Sequence, residues 1–279
     1  MVKRTFNGPD IFKVIVTAFV SAIAVFFLYA DSVASTFEES FWEVKKSNHF
    51  AVFYKSSESN DYVNDVLQYA ERYYESITEE FGFTRFEFWT WEKQCKIYLY
   101  PTAKEYYDAT GQPSWSGATA YLKERTIKTF VKREEFLETI LPHEMTHLIF
   151  REFVGYNTDL PLWLDEGMAS LQEKKNRKQH LLIAAVMVRS NVFIPLTKLT
   201  GIQKEGLVMP GVFYAEAASV IEFFLEKYGK EKFVDYCRDL RDNKNWRTSL
   251  AKVYGFKDLS EMNKKWMEFL SQTNAGTGQ

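Results

Sequence analysis

His143-Glu144-Met145-Thr146-His147 sets two imidazoles four residues apart, with a carboxylate beside the first. On a helix, residues four apart project from one face. Two imidazoles so placed can grip one divalent metal, for which zinc is the common match. Glu144 falls at the edge of the same face, where a general base for a metal-bound water is needed. The chain has four histidines, and two of them are here. The plain alternative is two half-buried histidines on an amphipathic helix beside a solvated glutamate.

Two imidazoles do not complete a catalytic zinc site, which has three protein ligands and an open position for water. Gly155, Asn157 and Pro161 break the chain after the first helix, and Leu162-Trp163-Leu164-Asp165-Glu166-Gly167-Met168-Ala169-Ser170 follows. Two helices joined by a short turn pack antiparallel, so a carboxylate early in the second could reach the imidazoles of the first. Glu166, separated from His147 by eighteen residues, is the candidate; Asp165 points another way if the segment is helical. Read by itself, Glu166 is equally an ordinary first-turn glutamate favoured by the helix dipole. Ser170, four residues after Glu166, and backbone carbonyls are candidates for orienting the imidazoles.

His-Glu-x-x-His, eighteen residues, then Glu within Trp-Leu-x-Glu-Gly-x-Ala resembles the gluzincin metallopeptidases, and most of all the peptidase-MA-like family and its aminopeptidase branch. The resemblance implies His143, His147 and Glu166 as ligands of one Zn2+ and Glu144 as the base. It also implies a downstream tyrosine that stabilises the oxyanion, and Phe213-Tyr214-Ala215-Glu216-Ala217-Ala218 gives that role to Tyr214. The implied fold is α+β: a small, mostly antiparallel sheet with helices, then an α-helical C-terminal subdomain, with the zinc site between them. The implied substrate is a peptide or protein, bound by β-augmentation along an outer strand, supplied here by Thr126–Val131 or Gly117–Leu122. The aminopeptidase branch carries Gly-x-Met-Glu-Asn on that strand, and its glutamate holds the substrate amine. Here Gly117-Ala118-Thr119-Ala120-Tyr121 has no carboxylate, which favours an endopeptidase, unless Glu124 or another acid reaches in.

The elements that must position these residues begin with an unusual N-terminus. Lys3, Arg4 and Lys13 precede the uncharged apolar run Val14 to Ala30, and Asp31, Glu38 and Glu39 follow it. Basic before and acidic after predicts an N-inside orientation. The run suits an uncleaved membrane anchor, or a signal peptide cut after Ser32-Val33-Ala34. Either places the catalytic part outside the cytoplasmic membrane. The expected organisation is signal or anchor over 1–34, a polar linker over 35–48, a catalytic domain over 49–272 and a disordered tail over 273–279. Within that domain, 49–153 holds the sheet and the zinc helix, and 154–272 is helical.

Inside the domain, strands are expected at His49–Tyr54 and Cys95–Tyr100, with a hairpin of Ala118–Leu122 and Thr126–Val131. A long helix over Asp61–Phe81 is ended by Gly82. Thr102 caps a short helix, with Glu105 three residues on. Pro142 requires either a separate turn before it or a kinked helix. Glu173 to Lys178 reads as a solvated charged turn, and His180 as a surface residue. Further helices are expected at Leu181–Val188, Tyr214–Tyr228, Lys230–Leu240 and Leu259–Leu270. Phe83 to Glu92 shows no clear period.

The chain has 35 basic and 37 acidic residues, a net charge of −2, which argues against an electrostatic nucleic-acid footprint. Two cysteines make no disulfide framework. The rival readings are a catalytically silent zinc-bearing binding or regulatory domain on the cell surface, and a structural protein without metal.

Overall fold

The computed structural model describes residues 42–55, 58, 60–83, 89, 93–131, 135–203 and 207–273. The apolar run Val14 to Ala30, the cleavage site Ser32-Val33-Ala34 and residues 274–279 lie outside the described residues. Among those described, no helix is long and apolar enough to cross a membrane.

Five strands form one sheet: β1 (Glu43–Lys46), β2 (Phe50–Tyr54), β3 (Cys95–Tyr100), β4 (Ala118–Tyr121) and β5 (Thr126–Phe130), in the order β1-β2-β3-β5-β4. Alternation decides which face is buried: Phe50, Val52, Cys95, Ile97, Leu99 and Ile127 all join the core. A mostly antiparallel sheet was the expectation, and the pairing corrects it. β2 runs parallel to β3 and β3 parallel to β5, and β4 with β5 is antiparallel. The reason lies in the connections. Helix α1 (Asn60–Phe81) carries the chain back from β2 to β3 as a crossover, whereas α2 (Ala103–Thr110) leads from β3 into β4, and the hairpin turn after β4 brings β5 parallel to β3. A second correction concerns the linker: Glu43–Lys46, inside the stretch read as polar linker, is a strand.

α1 buries Tyr62, Val66, Tyr73 and Ile77 at helical spacing. Gly82 stops it with φ +67, and a Cβ there would meet Val234 Cγ2 at 2.6 Å. Thr102 Oγ1 accepts the Glu105 N–H to cap α2. Of the stretch without a period, Phe83 and Trp89 are described, and both are buried. Phe83 stacks on Phe150 and Phe153, and Trp89 Nε1 donates to Glu152.

The remaining elements are helical: α3 (Leu141–Val154), α4 (Leu162–Leu171), α5 (Arg177–Arg189), the short α6 (Leu196–Leu199), α7 (Pro210–Tyr228), α8 (Lys230–Asn243), α9 (Trp246–Tyr254) and α10 (Leu259–Gln272). α9 has no counterpart in the sequence reading; Asn245 caps it and Gly255, at φ +74, ends it. The described residues from Val44 onward pack as one compact unit. α4 lies flat against α7. At Gly167 a Cβ would stand 2.6 Å from the Ala217 carbonyl oxygen, so only a glycine admits this approach.

Candidate metal centre

Proline at 142 removes a backbone donor and crowds the carbonyl four residues back. The chain resolves this with one π-helical turn, Phe136–Ile140, whose closing bond runs from the Leu141 N–H to the Phe136 carbonyl. That wider turn leads into α3 with Pro142 in its first turn. The two possibilities raised by Pro142, a separate turn or a kinked helix, are thus replaced by a widened turn continuous with α3. His143 and His147 follow on one side of α3.

α3 ends at Gly155 and α4 begins after Pro161. Arg151 fastens the connection. Its Nη1 donates to the Thr158 carbonyl at 3.1 Å, and its Nε and Nη2 to Asp165 Oδ2 at 3.1 and 2.8 Å. The result brings three donor atoms together. His143 Nε2 and His147 Nε2 are 3.2 Å apart. Glu166 Oε2 is 3.5 Å from the first and 3.8 Å from the second. Donors bound at ~2.0–2.1 Å around a tetrahedral zinc stand roughly 3.3 Å apart. The triangle is therefore close to one face of that tetrahedron, and these three residues form a group able to hold a metal ion.

The outer nitrogens are occupied. His143 Nδ1 lies 2.8 Å from Glu173 Oε1, and His147 Nδ1 lies 3.1 Å from Asp165 Oδ1. Each carboxylate holds its ring with Nδ1 as the donor, which leaves Nε2 free to bind a cation. Burial disfavours a charge on His143, but Glu166, Glu173 and Glu144 outweigh it and raise the imidazole to about 10. Burial likewise works against the Asp165 anion, yet His147 and Arg151 bring the carboxyl down to about 2. The Glu173 carboxyl stays below its ordinary range, despite burial, through His143. Asn176 Nδ2 donates to its second oxygen at 2.7 Å.

Here the structure revises the sequence reading. Asp165 is outside the donor triangle, as expected, but it is the residue that orients His147. Glu173 belongs to a stretch read as a solvated turn, yet its side chain is only 13% exposed and orients His143. Arg177, from the same stretch, bridges Glu80 at 2.6 Å and Glu222 at 2.5 Å. Glu173 and Arg177 face inward because α3, α1 and α7 offer them partners, while Lys174, Lys175 and Lys178 stay exposed as a solvated turn would have them. Ser170 has no orienting role: its hydroxyl is buried without a hydrogen-bond partner. His180 is half-buried rather than on the surface, and it is outside the donor group. No spacing rule marks Glu173, which stands two residues past the end of α4.

A cleft of about 790 Å³ opens over the donors, and Glu144 and Tyr214 both line it. Gly117 and the first three residues of β4, Ala118 to Ala120, form part of its wall. β4 is the edge of the sheet on this side, so Gly117–Leu122 and not Thr126–Val131 is the outer strand. Tyr214 stands in the first turns of α7. Burial first, then the charges of Glu166 and Glu173, push its hydroxyl up to about 12. It therefore keeps its proton across the physiological range.

No curated protein matches the chain. A family model described as the peptidase MA superfamily matches residues 89–272, a span that includes the donor triangle, the acids behind it and Tyr214. Members of that superfamily are typically zinc-dependent, and its name points to a metallopeptidase-like function acting on peptide or protein. With an α+β fold, a His-His-Glu donor set and a family match over most of its length, this chain belongs to the peptidase MA superfamily.

Proposed function

We propose that this protein is a zinc-dependent endopeptidase that cuts polypeptides outside the cytoplasmic membrane. The observation that carries the reading is the donor triangle itself, with both Nδ1 atoms already committed to carboxylates and Glu144 and Tyr214 on the same cleft. His143, His147 and Glu166 would hold the ion. Bound there, zinc would activate water near neutral pH and polarise a carbonyl.

The chain's own residues supply the rest. Glu144 accepts the proton of the attacking water and passes it to the leaving amine. Tyr214 donates its hydroxyl hydrogen to the carbonyl oxygen as charge grows there. Asp165 and Glu173 keep the two rings in the orientation that presents Nε2. β4 offers unpaired backbone groups along the cleft, on which an extended peptide can be laid as a further strand.

Cleavage within a chain is favoured by the acids of the cleft. β4 contributes no carboxylate, and Glu124 is not in the lining. Of the acids that are, Glu166 is a donor, Asp165 and Glu173 hold imidazoles, and Glu144 is the base. Among the described residues none is left to bind a substrate ammonium. The extracytoplasmic location rests on the basic, apolar and acidic order of residues 3–39.

Metal content and peptide cleavage, measured together on wild type and Glu144→Gln, test the reading. The expected result is near-stoichiometric zinc in both proteins and a 10²–10⁴-fold loss of turnover in the variant. Zinc bound by a wild type that cleaves nothing would instead leave a silent binding domain. Absence of bound zinc would remove the metal-centre reading.

A further inference from the structure

Part of the cleft lining is uncharged and apolar. No charged residue stands between Asp108 and Lys123, and none between Leu207 and Ala215. Both stretches contribute to the cleft wall, the first through Trp115 and the second through Leu207 and Pro210. Trp115 is 77% exposed. Beside Leu207 stand Val208, 91% exposed, and Met209, 52% exposed. Large apolar side chains left in water forfeit about 25 cal/mol for each Å² of apolar surface that burial would remove.

Trp115 is not exposed because its loop is loose. The Ser116 N–H donates to the Pro113 carbonyl at 2.8 Å. Tyr107 Oη donates to the Ser114 carbonyl at 2.6 Å. Ser116 Oγ is 3.1 Å from Tyr106 Oη and donates to the Ala118 carbonyl at 3.0 Å, the first residue of β4. Two buried or half-buried tyrosines thus tie the turn to α2 on one side and to the edge strand on the other. A side chain carried on a restrained backbone at a cleft has less freedom to lose when a partner packs on it.

We propose that Trp115 is a specificity-determining residue and that the substrates are extended, unfolded polypeptide segments carrying a large apolar or aromatic side chain. The inference rests on the endopeptidase reading of the same cleft. A folded protein keeps such side chains inside, whereas an unfolded one presents them on an extended backbone that β4 can pair. Trp115 precedes β4, so a peptide meets it beyond the strand's end. Peptides too short to run along the four residues of β4, about 13 Å, miss the contact.

The test uses quenched-fluorescence peptides long enough to span β4, with Phe or Ala scanned through each position. The expected result is one position at which wild type prefers Phe by about tenfold in kcat/KM, equivalent to ~1.4 kcal/mol. Trp115→Ala should reduce that ratio to about twofold or less, and Trp115→Phe should keep it. No apolar preference in an active wild type, or a preference that survives Trp115→Ala, overturns the proposal. Binding to anionic phospholipid vesicles that Trp115→Ala abolishes, with the cleavage ratio unmoved, also overturns it and makes the residue a lipid contact. If wild type cleaves none of the peptides, the hydrolase reading fails separately. Fluorescence anisotropy then decides: labelled Phe peptide binding Glu144→Gln more tightly than Glu144→Gln/Trp115→Ala upholds the contact, and equal binding ends it.

Discussion

Glu173 offers the sharpest test of how the metal centre is built, because nothing in its local sequence marks it as part of a site. Both of its oxygens are used, one on His143 Nδ1 at 2.8 Å and one accepting from Asn176 Nδ2 at 2.7 Å. A hydrogen bond involving a charged group contributes ~1.5–3 kcal/mol when it is largely shielded from water. Loss of an outer partner of a ligating histidine weakens metal binding 10–100-fold, or ~1.4–2.7 kcal/mol. The two ranges agree. Glu173→Ala should therefore fall near the hundredfold end, since the freed imidazole can rotate and no oxygen replaces the lost one. Glu173→Gln keeps an acceptor without its charge, and a neutral bond has roughly half the strength, so a loss of about tenfold or less is expected. Glu166→Ala removes a donor outright and should cost more than either. Zinc affinity is read by competition with a chromogenic chelator on the full chain, with circular dichroism confirming that each variant is folded. A Glu173→Ala affinity within about threefold of wild type, a difference of ~0.6 kcal/mol, would refute the claim that this carboxylate positions His143.

Three further perturbations address other parts of the molecule. Tyr214→Phe removes a single hydroxyl from the cleft; kcat should fall about 10²-fold with zinc content unchanged, and an unchanged kcat would exclude Tyr214 as an oxyanion donor. Gly167→Ala places a Cβ 2.6 Å from the Ala217 carbonyl oxygen, forcing α4 from α7, and should lower stability by ~1–3 kcal/mol in a denaturant titration. Glu216 is fully buried, its carboxylate accepts the Ile194 N–H, its one hydrogen-bond donor among the described residues, and burial raises its carboxyl from 4.5 to about 7. Below pH 4.5 it is protonated folded or unfolded; above pH 7 the folded state must carry the charge, so stability is lost as pH rises between the two, by about 3 kcal/mol in full. Glu216→Gln should raise Tm above pH 7, with the gain vanishing toward pH 4.5, and a pH-independent difference would show that burial is not the cause.

The sequence reading was strongest where one local rule decides. Helical spacing found the buried face of α1, the i to i+4 rule paired His143 with His147, and Thr102 with Glu105 marked the start of α2. Its errors share another origin. The direction of β2, β3 and β5 depends on how the chain returns between them, through α1 and then through α2 and the β4 hairpin, which alternation in a single strand does not encode. Glu173 and Arg177 sit in a run of charges whose composition says solvent, and only the approach of His143, Glu80 and Glu222 turns them inward. Asp165 was set aside because it points away from the donor triangle. That same direction is what lets it reach the far nitrogen of His147 while Arg151 holds its other oxygen.

The charge around the imidazoles explains why these acids must be held from several elements at once. Asp165, Glu166 and Glu173 are largely buried, and Arg151 is the cation that contacts one of them. Three carboxylates gathered around one guanidinium and two imidazoles is an arrangement in which burial penalises each uncompensated charge by several kcal/mol. The fold retains it by distributing the restraints: Arg151 secures Asp165 from α3, Asn176 secures Glu173 from the start of α5, and the α4–α7 contact at Gly167 fixes the helix that carries Glu166. A divalent cation held by the donors would displace the proton that the acids keep on His143 and take over its compensating charge, so the acids that would destabilise an ordinary core would favour its binding here. Stability is surrendered locally for a function, as active sites commonly require. The acids around the two histidines are therefore better understood as part of one metal-binding unit than as separate surface charges.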